Sequence, residues 1–165
     1  MQSNFRALHL SDSASKMRKE VALWIAPEDS SKDLSRLQKQ RDPGSCWWLL
    51  RKGIYHEWLT NANSTVLWVH GIPGSGKSFL ASFIIDDIKK RFQTNTVIYF
   101  FCSGRNESKS ASISILRSVI YQLQMLLPSA SGVVEDAFQK STHSVAQYEE
   151  LWDMFCGLIG IGKTV

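Results

Sequence analysis

The chain has 165 residues, the size of one domain. Its 44% hydrophobic and 21% charged content excludes wholesale disorder. A net charge of +4 does not by itself indicate nucleic acid and suits an acidic small ligand equally well. Three cysteines (Cys46, Cys102, Cys156) without CxxC spacing exclude a disulfide framework or zinc cluster and point to a reducing compartment.

In chain order, residues 1–15 are polar and read as a loose terminus, without a signal peptide or lipidation box. Met17, Val21, Trp24 and Ile25 share a helical face that Pro27 ends. Ser30-x-x-Asp33 resembles a capping box before a short helix carrying Leu34 and Leu37. Asp42-Pro43-Gly44 is a turn. Cys46 to Leu50 and Ile54 to Leu59 read as two short helical pieces covering an apolar surface. Val66 to Val69 is a continuous apolar run, the pattern of a strand buried on both faces. Phe79, Leu80, Phe83, Ile84, Ile88 and Phe92 then fall at helical spacing. Residues 96–101 form a second buried-type strand. Ile113, Leu116, Ile120, Leu123 and Leu127 mark an amphipathic helix ended by Pro128. Ser144-x-x-Gln147 caps a last helix bearing Tyr148, Leu151, Trp152, Phe155 and Leu158. Strand, helix, strand, helix is the grammar of a parallel α/β sheet. No apolar run reaches the ~20 residues that cross a bilayer, so a cytoplasmic protein without a membrane partner is expected.

Between the first strand and its helix lies Gly71-Ile72-Pro73-Gly74-Ser75-Gly76-Lys77-Ser78, which matches GxxxxGK[ST] in the required context. The glycines let backbone N–H groups approach phosphate oxygens, and the following helix aims its positive end at the same place. Lys77 is expected on the β and γ phosphates and Ser78 on Mg²⁺ through its hydroxyl. The simpler alternative is a glycine loop that only turns the chain.

Three other features compete for attention. Phe83-Ile84-Ile85-Asp86-Asp87 imitates a Walker B strand, but it lies where the loop must open a helix, so both aspartates are expected on a solvated helix face. Gly157 to Thr164 also satisfies GxxxxGK[ST], yet only Val165 follows it. His9, His56, His70 and His143 lack metal spacing, and His70 reads as a strand-end residue. Arg36, Lys39, Arg41 and Lys89-Lys90-Arg91 read as solvated charge, and the six tryptophans as core. No catalytic residue is assigned, because no acidic residue ends a convincing strand.

Trp24-Ile25-Ala26-Pro27, Asp42-Pro43-Gly44-Ser45-Cys46, Trp48-Leu49-Leu50 and Trp58-Leu59 together resemble the lead-in to NACHT-type P-loop domains of fungal NOD-like receptors. In domain terms the chain is similar to the nephrocystin 3-like N-terminal domain. Val66 to Ser78, Val97 to Cys102, and Ile115 to Ser118 with Gln122-Leu123 carry the resemblance further. It implies a STAND-class NTPase, a switch operated by Mg²⁺ with ATP or GTP, whose partners are the nucleotide and other receptor chains. It also implies a Walker B strand after the helix around Trp152, of which Lys163-Thr164-Val165 resembles the first residues, cut short.

The expected fold is α/β: an incomplete P-loop NTPase parallel sheet behind a helical lead-in. Residues 1–20 form a loose or helical segment, 21–64 the lead-in, and 65–165 the truncated NTPase part. The expected function is a nucleotide-binding module, ATP ahead of GTP, without complete hydrolysis machinery. A non-enzymatic interaction or regulatory protein is the alternative, and a small P-loop kinase a third. No specific nucleic-acid binding is expected.

Overall fold

The computed structural model describes residues 15–103 and 111–161. In chain order the helices are α1 (residues 15–25), α2 (Ser30–Gln40), a 3₁₀ turn (Trp47–Arg51), α3 (Gly53–Thr60), α4 (Lys77–Arg91), α5 (Ser112–Leu126), α6 (Pro128–Lys140) and α7 (Tyr148–Ile161). None is long and apolar enough to cross a membrane. By contact density the chain divides into two compact units, one of residues 31–97 and one of residues 1–30 with 98–165.

In the second of these, α5, α6 and α7 pack on one another pairwise. Val21, Trp24 and Ile25 from α1 join Leu116, Ile120, Val134, Leu151, Met154 and Leu158 in its core. These positions repeat at three and four residues, which places them on one face of each helix. α1 stops because Ala26 takes a left-handed φ of 48° and Pro27 follows. The freed Trp24 carbonyl accepts the Ala146 N–H at 2.9 Å, tying the α1 terminus to the lead into α7. Trp24 also meets Phe138 edge-on, with ring centroids 5.6 Å apart.

α6 has no counterpart in the sequence reading. Pro128, expected only to stop α5, opens this helix instead, a position where its missing N–H costs nothing. The cap of α7 also differs in detail. The reciprocal bond comes from Glu150, whose Oε2 accepts the Gln147 N–H at 2.8 Å. Glu150 Oε1 accepts the Ser141 hydroxyl at 2.6 Å and faces His143 Nδ1 at 3.3 Å. Burial pushes the Glu150 carboxyl up, but the Gln147 amide, Ser141 and His143 together outweigh it and hold it below its ordinary value.

The unit of residues 31–97 has a smaller core. Leu49 from the 3₁₀ turn and Tyr55 from α3 close on Leu80 and Phe83 of α4, with Trp58 and Leu67 half-buried beside them. The two short helical pieces expected at 46–59 are therefore present, and the apolar surface they cover is one face of α4.

The expected parallel α/β sheet is not formed. Every regular element among the described residues is helical, and both apolar runs read as strands lie outside any β-ladder. A strand exists through its neighbours, because its N–H and C=O groups need partners on adjacent chain. Residues 65–70 form no regular element, and Val66 and Trp68 are 86% and 79% exposed instead of buried. Residues 97–101 find a side-chain substitute. The Gln122 amide on α5 accepts from the Tyr99 N–H at 3.2 Å and donates to the Tyr99 carbonyl at 2.9 Å. One glutamine thus performs for one residue what a neighbouring strand performs for a whole run.

The tryptophans are corrected as well. Trp24 is buried and Trp58 half-buried, but Trp47, Trp48, Trp68 and Trp152 are exposed. In the 3₁₀ turn the residue that enters the core is Leu49, which leaves its tryptophan neighbours outside.

Candidate phosphate-binding site

Residues Gly71 to Ser78 form the loop that opens α4. Ser75 N–H donates to the Ile72 carbonyl at 3.2 Å, closing a tight turn. Gly74 and Gly76 take φ of +82° and +86°, left-handed values that a side chain would strain. A Cβ at Gly71 would lie 2.9 Å from the Ser75 Oγ, which would have to rotate away. α4 begins at Lys77, and the Leu80 N–H makes its first bond to the Gly76 carbonyl at 3.0 Å. The N–H groups of the first turn have no partner within the helix and carry its positive end.

Lys77 reaches back over this loop. Its Nζ donates to the Gly71 carbonyl at 2.8 Å and to the Ile72 carbonyl at 2.9 Å. An ammonium has three donors, so one remains after these two bonds. The charge is thereby held over the loop that leads into the N-terminus of α4, a setting suited to an anion. Ser78 is exposed on the first turn of α4 beside it. Its hydroxyl supplies a single hard oxygen, which fits Mg²⁺ only if phosphate oxygens and water complete the shell.

A cavity of about 480 Å³ is lined by Gly71, Ser75, Gly76 and Lys77 of this loop together with Asp42, Cys46 and Trp48. Asp42 opens a turn in which its carbonyl accepts both the Ser45 N–H and the Ser45 hydroxyl. Gly44 (φ +80°) and Cys46 (φ 71°) are both left-handed within it.

Asp86 and Asp87 lie on α4, as the helix reading requires, but they are not solvated charges. Asp86 accepts Gln38 Nε2 at 2.6 Å and Arg41 Nη2 at 2.7 Å. Arg41 also donates to the Ser82 hydroxyl at 2.9 Å and lies 5.4 Å over the Phe83 ring. Asp87 accepts the buried Tyr55 hydroxyl at 2.8 Å and Arg91 Nε at 2.9 Å. Burial pushes the Tyr55 phenol up, and Asp87 pushes it further. The two carboxylates fasten the C-terminus of α2 and the middle of α3 to the helix that follows the loop. Arg41, expected as solvated charge, is instead largely buried against α4. Its only sequence signal was its distance of 45 positions from an acidic pair on an apolar helix.

The second GxxxxGK[ST] match is helical through Ile161 as part of α7, so Gly157 to Ile161 cannot form a phosphate loop; Lys163 and Thr164 lie outside the described residues. His70 lines the cavity and His56 Nε2 contacts the Leu50 carbonyl, while His9 lies outside the described residues. Among the described residues no cluster of three or more histidines, cysteines or carboxylates could hold a metal.

Comparison with known proteins gives two results. The family described as Nephrocystin 3, N-terminal, matches residues 44–165. The vegetative incompatibility protein HET-E-1 of Podospora anserina is 26% identical over 109 residues, 66% of this chain and 8% of that protein. This chain thus spans less than a tenth of the curated relative it matches. No solved structure matches it.

Proposed function

The chain belongs to the Nephrocystin 3, N-terminal family, and from that membership we propose that it is a nucleotide-binding segment of a STAND-type signalling protein. The similarity to a vegetative incompatibility protein fits this reading, and a cytoplasmic location with other receptor chains as partners is part of the same proposal. The observation that carries the reading is the Lys77 ammonium, held at 2.8 and 2.9 Å by the Gly71 and Ile72 carbonyls at the mouth of α4. Left-handed Gly74 and Gly76 keep the loop free of side chains where an anion would sit. The phosphate end of Mg²⁺-ATP, or of GTP, would take the free N–H groups at the start of α4 and the third donor of Lys77. Ser78 would hold Mg²⁺ through its hydroxyl, and the metal would supply positive charge against the phosphates.

Hydrolysis is not part of this proposal. Asp86 and Asp87 are committed to Arg41, Gln38, Tyr55 and Arg91, so neither is placed to orient an attacking water. A second reading, a non-enzymatic interaction module, is favoured by the exposed apolar run through Val66 and Trp68. Titration with a fluorescent ATP analogue and Mg²⁺ separates the two. The nucleotide reading expects saturable binding, a loss of at least about tenfold on Lys77→Ala, and no change on Lys163→Ala. Binding that survives Lys77→Ala, or that Lys163→Ala reduces more, overturns the assignment of the loop.

A further inference from the structure

In the unit that contains α5 to α7, a cavity of about 600 Å³ is lined by residues of three helices. α1 contributes Arg18 and Lys19, α5 contributes Gln124, Met125 and Leu126, and α6 contributes Pro128 and Ser131 of its first turn. It shares no residue with the Gly71–Ser78 loop. Its volume lies in the range of sites that enclose a whole small molecule.

The charge around this cavity is of one sign. Arg18 and Lys19 are exposed and form no ion pair among the described residues. The N-terminus of α6 has neither a capping side chain nor an acidic residue in its first turn, so its positive end is not compensated from within the helix. No acidic side chain among the described residues lines the cavity. An independent observation points to a ligand. Gln124 is only 8% exposed, yet its amide has no hydrogen-bond partner among the described residues. A buried amide left unpaired is costly, and native interiors seldom keep one. Gln122, on the same helix, instead spends both ends of its amide on Tyr99. Nor is the Gln124 amide sealed in the core, as the unpaired Trp24 Nε1 and Arg117 Nε are. It is reachable, and the cavity that Gln124 lines is where a partner reaches it.

We propose that this cavity binds a small organic anion with an apolar body, at a site separate from the phosphate loop. The anionic head takes Arg18, Lys19 and the start of α6, and the Gln124 amide donates to it. Met125 and Leu126, 63% and 50% exposed, supply the apolar surface for the rest of the molecule. A head group alone would leave that surface wet, so an inorganic anion satisfies only half of the site.

The test titrates 1-naphthyl phosphate, inorganic phosphate and 1-naphthol into the full chain, with calorimetry and amide NMR as readouts. The parent should bind 1-naphthyl phosphate saturably and at least about tenfold more tightly than either of the other two. The Gln124 side-chain amide and the backbone of residues 129–131 should shift with it. Gln124→Leu should weaken this binding about fivefold or more while leaving the thermal midpoint unchanged or raised, because it removes an unpaired buried amide. A merely structural role for Gln124 would lower the midpoint instead. The double variant Arg18→Gln, Lys19→Gln, on an exposed helix face, should weaken binding about tenfold. Lys77→Ala should leave it unchanged. Absence of saturable binding, equal affinity for inorganic phosphate, or binding that Lys77→Ala abolishes and the Arg18, Lys19 and Gln124 variants leave intact overturns the proposal. None of these three results decides whether the phosphate loop binds Mg²⁺-ATP, so the two sites stand or fall separately.

Discussion

Glu150 shows how a single side chain joins local structure to pH dependence. It caps α7 through the Gln147 N–H and also receives Ser141 and His143, and these bonds hold its carboxyl below the ordinary 4.5. A carboxyl depressed in the folded state adds stability that is present above its unfolded pKa. That stability drains away as the pH falls from about 4.5 through the folded value. Glu150→Gln should therefore cost about 1 kcal/mol at pH 7, the usual worth of a helix cap, and flatten the acid limb of the stability curve. Denaturant unfolding of both forms between pH 7 and pH 3 measures this. An unchanged acid limb would remove Glu150 from the account.

At the level of elements, the helices were legible in the sequence because their signal is local. Apolar residues at three- and four-residue spacing placed α1, α4, α5 and α7. α6 was missed because Ser129-Ala130-Ser131-Gly132 looks like a loop, although Pro128 ahead of Val133, Val134, Ala137 and Phe138 is a helix start. The sheet failed for the opposite reason. An apolar run states that a segment can be a strand, while pairing depends on another segment that the run does not identify. The Gly71–Ser78 turn and the helix it opens were legible, since the glycines and the apolar positions of α4 are contiguous. The tie between Arg41 and Asp86 was not, since it joins side chains 45 residues apart. That tie carries its own prediction. Both side chains are about four-fifths buried, so Asp86→Ala leaves Arg41 partly desolvated without its charge partner. We expect a loss of about 2 kcal/mol, and a coupling near 1 kcal/mol in a double-mutant cycle with Arg41→Met. Additive losses would mean that α2 is held to α4 by packing alone.

For the whole molecule, the unequal cores of the two units have a thermodynamic consequence. The unit containing α5 to α7 buries side chains from several long helices, while the other closes on Leu49, Tyr55, Leu80 and Phe83 and exposes Val66 and Trp68. Less buried apolar area means less to oppose chain entropy, so residues 31–97 should unfold first. Hydrogen exchange should show α3 and α4 opening at lower free energy than α5 and α7. Mg²⁺-ATP should raise protection in α4 and leave α7 unchanged, because a ligand stabilises the unit that holds it. Val66 and Trp68 leave large apolar side chains exposed, and Trp68→Ser should reduce concentration-dependent association in light scattering without loosening α4. Uniform exchange in both units, or ligand protection centred on α7, would contradict this division.

Gly71 to Ser78 is proposed to receive phosphate, and backbone amide shifts recorded during a Mg²⁺-ATP titration test this most directly. The N–H groups that bind an anion report it without any assumption about turnover. We predict saturable shifts concentrated in residues 71–78 and the first turn of α4, lost in Lys77→Ala. Shifts confined to other segments, with the loop amides unmoved at saturation, would contradict the account.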